Sequence, residues 1–365
     1  MTARSVSVLV VASLAVAVCA SSGCASGTTA RPPAPAAGPP SPVDSAVAFL
    51  DRYEQPDGRV VRIDQGGDTV SEGQSYAMLL AVVANDRARF DAAWSWAVAN
   101  LARADHLWSW RWQGSVVDPM PASDADLDAA WALSLAATRF GDARYSDGAR
   151  QMAASIAQEE TAAFRGAPLL VAGPWATSPP ATVEIGYLAP AAFASLATVD
   201  PAGPWTAMVT SGRAALSSLT MDGARLPADW AVVDADSLRP VSAAGATDGT
   251  GTVGLDALRT LAWFGASCES ADRALVAPLA PLVADQPGAT QRNLDGSAPK
   301  HDEHAAALVA AAIADDARGQ TNDGTALLVR AADVDRATPT YYGSAWVALA
   351  SALRTSGSAL RPCPA

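Results

Sequence analysis

Three acidic residues stand where long apolar runs begin: Glu72 in Ser71-Glu72-Gly73-Gln74-Ser75-Tyr76, Asp124 in Ala122-Ser123-Asp124-Ala125-Asp126, and Asp256 in Leu255-Asp256-Ala257-Leu258-Arg259. Two carboxyl groups held apart on one surface can break a bond to oxygen, one protonating the leaving oxygen and the other deprotonating water. Glu72 follows a Gly-rich loop, Asp64 to Thr69, and precedes Leu79-Leu80-Ala81-Val82-Val83, so it reads as the first turn of a helix with Ser71 as N-cap. A carboxylate there can simply complement the helix dipole. Its neighbours suggest more: Gly73 admits a close approach by another part of the chain, and Gln74, Ser75 and Tyr76 carry groups suited to bonding hydroxyls. A helix N-terminus lowers a carboxyl pKa, the wrong direction for an acid that must keep its proton. Burial and the second negative charge of Asp124 are the expected counterweights.

Helical spacing runs through nearly the whole chain after residue 41, in about twelve segments: 42–54, 71–84, 86–102, 124–139, 143–163, 187–198, 203–219, 255–266, 269–284, 301–317, 321–335 and 341–354. Strand-like alternation is scarce, so the expected class is all-α. The loops before 71, 124, 187, 255 and 301 are long, and those before 86, 143, 203, 269 and 321 are short. Helices that alternate between an inner and an outer ring satisfy that rhythm, giving six hairpins closed into a toroid with every long loop on one rim. Glu72, Asp124, Tyr187, Asp256, His301 with His304, and Tyr341 with Tyr342 would then converge. A solenoid of hairpins is the alternative, weakened by the lack of a recurring repeat. Ser123 and Asp126 have capping-box spacing, a purely structural use for Asp126.

The Ser71–Tyr76 block extended through Ala84-Asn85-Asp86-Arg87-Ala88-Arg89-Phe90-Asp91, the Ala122–Asp126 run with Ala136 and Phe140, and Asp256-Ala257-Leu258-Arg259 together resemble glycoside hydrolase family 8. The likeness spans roughly residues 42 to 355 and is strongest to the endoglucanases that accompany bacterial cellulose synthesis. It implies an (α/α)6 toroid and inverting, cofactor-free hydrolysis of β-1,4-glycans, whose two carboxyl groups stand roughly 6.5 to 9.5 Å apart. By the same resemblance Glu72 is the general acid, Asp256 the general base and Asp124 the carboxylate holding the sugar. Tyr187 would orient the water and Arg259 support the site; Trp110 and Trp175 would stack on sugar, and Tyr341 and Tyr342 open the last inner helix. Leu255 stands where the family usually has Tyr, and Ala129 and Ser134 replace larger aliphatic residues. Xylan, chitosan or mixed-linkage glucan are alternative substrates, and a silent glycan-binding lipoprotein is the rival that Leu255 favours.

Composition agrees with a neutral polymer as partner. The formal charge of −12 and pI near 4.6 argue against nucleic acid. Eleven tryptophans against six Phe and six Tyr offer stacking faces for sugar rings. Trp94, Trp96, Trp131, Trp263 and Trp346 lie in helical segments and read as core, whereas Trp110 and Trp175 lie in long loops. His301 and His304, with only His106 besides, make no convincing metal set, and neither a phosphate loop nor a serine nucleophile elbow occurs.

Arg4 followed by the apolar stretch Val6 to Val18 reads as an export signal over 1–23. Ser21-Ser22-Gly23-Cys24 resembles a lipoprotein processing site with Cys24 as the lipidated residue and membrane anchor, with ordinary cleavage nearby as the alternative. Residues 24–41 then form a Pro/Ala-rich tether, and 42–365 the folded domain. Cys268 and Cys363 remain beyond it; an oxidising compartment permits a disulfide between them, and two separate thiols are the alternative.

Overall fold

The computed structural model describes residues 41–363 except Ala235 and Thr247. The signal segment, Cys24 and all but the last residue of the tether therefore lie outside the described residues. That last residue, Ser41, is already the N-cap of the first helix, its hydroxyl accepting from the Asp44 amide.

Helices α1 (Pro42–Tyr53), α2 (Ser71–Ala84), α3 (Arg87–Asn100), α4 (Ser123–Phe140), α5 (Ala143–Glu159), α6 (Pro190–Val199), α7 (Trp205–Thr220) and α8 (Leu255–Gly265) come first. Then follow α9 (Ser270–Val276), α10 (Ala280–Val283), α11 (Ala305–Ala317), α12 (Thr321–Ala337) and α13 (Tyr341–Arg354). Pro278 and Pro281 account for the break between α9 and α10, because each lacks an amide donor; together the two fill one outer position. Helices α2, α4, α6, α8, α11 and α13 form the inner ring, and the others pack outside, which is the expected (α/α)6 toroid.

Burial explains the assignment. In α5 the buried residues are Tyr145, Ala149, Met152, Ala153 and Ile156, one stripe of a helix with a wet back. In α11 every residue from Ala305 to Asp315 is buried, as a helix covered on all sides requires. The run of alanines there lets α8, α12 and α13 close around it. Trp131, Trp263 and Trp346 pack edge to face across the ring, and Trp94 and Trp96 belong to the same core, as expected. The ring closes where α1 meets α13, with Tyr53 Oη 3.0 Å from Ser344 Oγ and Ser45 Oγ 3.1 Å from Ser351 Oγ.

Short turns follow α2 and α4. Asn85 and Gly141 take the left-handed conformation there, and Asp86 and Asp142 cap the helices that come next. The long loops carry three small antiparallel sheets that alternation in the sequence did not reveal: β1 (Thr69–Val70), β2 (Arg111–Trp112) and β3 (Val116–Asp118); β4 (Thr161–Phe164) and β5 (Ala167–Leu170); β6 (Ala181–Glu184), β7 (Trp230–Asp234) and β8 (Ser237–Val241). Two inner helices also start later than their patterns suggest. Tyr187 lies in a 3-10 turn before Pro190, and His304 is the N-cap of α11 rather than a member of it. Cys268 and Cys363 are joined, tying residues after α13 to the turn between α8 and α9.

Candidate active site

Every inner helix that delivers a candidate acid is fixed at its start by side chains or strands of the rim. The Ser71 amide donates to the Trp110 carbonyl at 2.9 Å, an extension of the β1–β2 pairing. Ser71 is thus the first helical residue and not a cap; Val70 holds the cap position without a side-chain bond. Gln74 and Ser75 are also turned from the cleft. Gln74 brackets the backbone at Gly58, Val60 and Ala93, and Ser75 Oγ donates to the Glu72 carbonyl. Gly73 does what its type suggests: a β-carbon there would stand 3.0 Å from the Tyr341 hydroxyl.

No capping box forms at α4. Ser123 Oγ donates to the Val171 carbonyl, and Asp126 Oδ1 accepts from the Trp108 amide at 2.8 Å. These bonds hold the start of α4 against β5 and the 101–110 loop. For α8 the cap comes from far along the chain: the Asp229 carboxylate accepts from the Gly254 amide at 2.8 Å and the Ala257 amide at 2.9 Å. Gly186 lets the 185–187 turn lie on α8, since a β-carbon would collide with the Asp256 carbonyl.

Arg259 is the hub that these helices share. Its Nη1 lies 3.1 Å from Glu72 Oε2, 2.9 Å from Asp124 Oδ2 and 3.3 Å from the Tyr76 hydroxyl. Its Nη2 lies 3.2 Å from Glu184 Oε1 and 3.6 Å from Asp256 Oδ1. The Tyr187 ring packs on the guanidinium, 4.9 Å from centroid to carbon. One guanidinium spanning both acids limits their nearest oxygens to about 9 Å apart, within the reach of an inverting pair.

The two end carboxyl groups live in different surroundings. Glu72 is 18% exposed and receives the Tyr341 hydroxyl at 2.9 Å, whereas Asp256 is 52% exposed and receives the Tyr342 hydroxyl at 3.2 Å. A hydroxyl therefore reaches Asp256 from α13 although Leu255 has none. Burial above all, then the charges of Asp124 and Asp256, push Glu72 up to about 7 against the opposing pull of Arg259 and the Tyr341 bond. Burial likewise raises Asp124, with Arg259 opposing it, and holds Glu184 and Asp128 well above the carboxylate range. A pocket of about 370 Å³ opens over Glu72, Asp256, Leu255 and Tyr342.

Glu72, Asp124, Asp256, Tyr187, Arg259, Tyr341 and Tyr342, all expected from the sequence, thus meet around one cation. Arg259 and Tyr341 are almost wholly buried and touch the acids from beneath. Trp110 is partly buried beside the α2 start, and Trp175 is 41% exposed with its ring 6.4 Å from that of Trp230. His304 is occupied structurally, bonded to the Ala306 amide and Thr340. Glu184 and Asp229 escaped sequence reasoning. The one available signal was the alternation in Ala181-Thr182-Val183-Glu184, a strand ending three residues before Tyr187.

Comparison with known proteins fits this arrangement. An endoglucanase of Xanthomonas axonopodis pv. citri is 33% identical over 260 residues, 67% of this chain and 66% of that one. One of Cellulomonas uda is 29% identical over 195 residues, 52% and 54% of the two chains. The matches therefore span between about half and two thirds of these relatives' own length. The solved endo-beta-1,4-glucanase CMCax from Acetobacter xylinum shares the fold with a TM-score of 0.72 at 24% identity, covering 87% of this chain and 98% of that one. The family model of glycosyl hydrolases family 8 matches residues 46–356, from within α1 to just past α13. A match running round the entire ring that carries the arginine-centred acids leaves one assignment: the chain belongs to glycosyl hydrolases family 8.

Proposed function

We propose that the protein is an inverting, endo-acting hydrolase of β-1,4-glucan, with Glu72 as general acid, Asp256 as general base and Asp124 holding the sugar at the point of cleavage. The unequal surroundings of Glu72 and Asp256 on either side of Arg259 carry this reading. A sheltered carboxyl raised to about 7 keeps a proton to give, and a solvent-facing carboxylate can meet water. Glu72 passes its proton to the glycosidic oxygen as the bond to the anomeric carbon breaks. Asp256 takes a proton from a water whose oxygen attacks that carbon from the opposite face, so the new hydroxyl has inverted configuration. Arg259 faces the negative charge that grows on Glu72 in this step. Tyr187 orients the attacking water, and Trp110 and Trp175 supply rings along the rim for neighbouring sugars.

The test is reducing-sugar release from carboxymethylcellulose, with xylan, chitosan and mixed-linkage glucan in parallel. Wild type cuts the cellulose derivative, and Glu72→Gln and Asp256→Asn each lose at least about a hundredfold, the scale of a general acid or base. Binding without turnover in wild type and variants alike would instead make it a glycan-binding protein. The reading also has the chain exported and lipid-anchored through Cys24. The Cys268–Cys363 bond supports an oxidising compartment. Cys24→Ser then moves the protein from the membrane fraction to the soluble one.

A further inference from the structure

Asp126 and Glu160 form a second acidic pair that the proposed chemistry does not use. Asp126 sits in the first turn of α4 and Glu160 immediately follows α5, and both are completely buried. Asp126 Oδ1 accepts from the Trp108 amide, but its other oxygen and both oxygens of Glu160 meet no donor among the described residues. The Glu160 carboxyl lies within hydrogen-bond reach of Asp126, and the charged groups facing the pair are Asp124, Asp105 and Arg103. Arg103 is committed to Asp105 and the Pro119 carbonyl. Among the described residues no cation bonds either carboxyl.

Two ionised carboxylates in contact inside a protein repel each other, and neither can leave for water. One proton between them removes a charge and creates a short, strong O–H···O bond. We propose that Asp126 and Glu160 share a single proton and act as positioning residues for the loop that bears Trp110 and for the start of the Glu72 helix. The path is continuous. Asp126 holds the Trp108 amide, Ser109 pairs with Leu101, and the Trp110 carbonyl receives the Ser71 amide next to Glu72. The link to catalysis rests on the glucanase reading; the shared proton does not. Loss of that proton at alkaline pH sets like charges against each other and loosens the Trp108 anchor.

Since Glu72 itself titrates near neutrality, the decisive readouts are structural. Such a pair holds a proton in the folded state that the unfolded chain releases, so its contribution falls as pH rises above the unfolded carboxyl value. Glu160→Gln replaces the shared proton with a permanent amide donor. Its melting temperature should gain on wild type by about 5 °C or more between about pH 5 and about pH 9. A gap that stays constant with pH overturns the proposal. The infrared difference between wild type and Glu160→Gln should contain the carbonyl stretch of a buried protonated carboxylic acid, and its absence is equally decisive. If the variant does not fold, wild type suffices: protection of the Trp108 amide against exchange, corrected for intrinsic rate, should fall at least about tenfold from about pH 6 to about pH 9. Unchanged protection contradicts the inference. None of these measurements needs turnover, so an inactive protein would refute the glucanase reading alone.

Discussion

Glu72 stands under opposed influences, a helix N-terminus and Arg259 favouring its charge, and burial with Asp124 and Asp256 favouring its proton. Desolvation is the largest, and the carboxyl settles at about 7. Because the acid must be protonated, activity should decline as pH rises through about 7. Asp124→Asn removes one negative neighbour, so the high-pH limb moves to lower pH alongside a loss of kcat. An unmoved limb in the pH profile of kcat/KM would mean that Asp124 only holds substrate. The three acids that meet at Arg259 from α2, α4 and α8 were legible because each stands at the start of an apolar helical run. Ser71 and Ser123 misled as caps for a related reason. Their type suits a cap, but long-range bonds to Trp110 and Val171 fixed those helix starts instead, and local spacing carries no trace of such partners.

At the scale of elements, the small sheets are what aim the inner helices. Asp68, fully buried, is held by Arg62 and Arg111 and so joins the loop before β1 to β2. Asp229, one residue before β7, caps α8. Removing that cap should cost about 1–2 kcal/mol and displace Asp256 relative to Arg259. Asp229→Ala is accordingly expected to lower the urea midpoint modestly and kcat more severely, with KM nearly unchanged; kinetics and a urea melt measure both. The sheets escaped sequence reading because their strands are two to five residues long, too short for a period of two to stand out. Helix bounds failed at Tyr187 because apolar spacing continues through Ile185–Ala189, and at His301 because the polar 301–304 segment is held by a long-range bond, the His304 amide donating to the Gly288 carbonyl, which local spacing does not show.

For the molecule as a whole, alternating loop lengths revealed the two rings, since hairpins return by short turns and cross the rim by long ones, the three residues between α12 and α13 excepted. The cysteine pairing could not be read the same way, because nothing local links positions separated by 95 residues. Closing so long a loop stabilises by up to about 4–5 kcal/mol in the chain-entropy account. Cys268→Ser with Cys363→Ser should therefore melt about 5 °C or more below wild type, and reductant should produce the same shift in wild type only. The seam between α1 and α13 has a different consequence. Ser45 touches Ser351, so the first and last helices lie side by side and the ring has no structural beginning. A chain joined across that seam by a short linker and cut instead at the exposed Gly319 turn would keep every inner neighbour and all four carboxyl groups around their arginine, which makes this architecture a natural host for circular permutation.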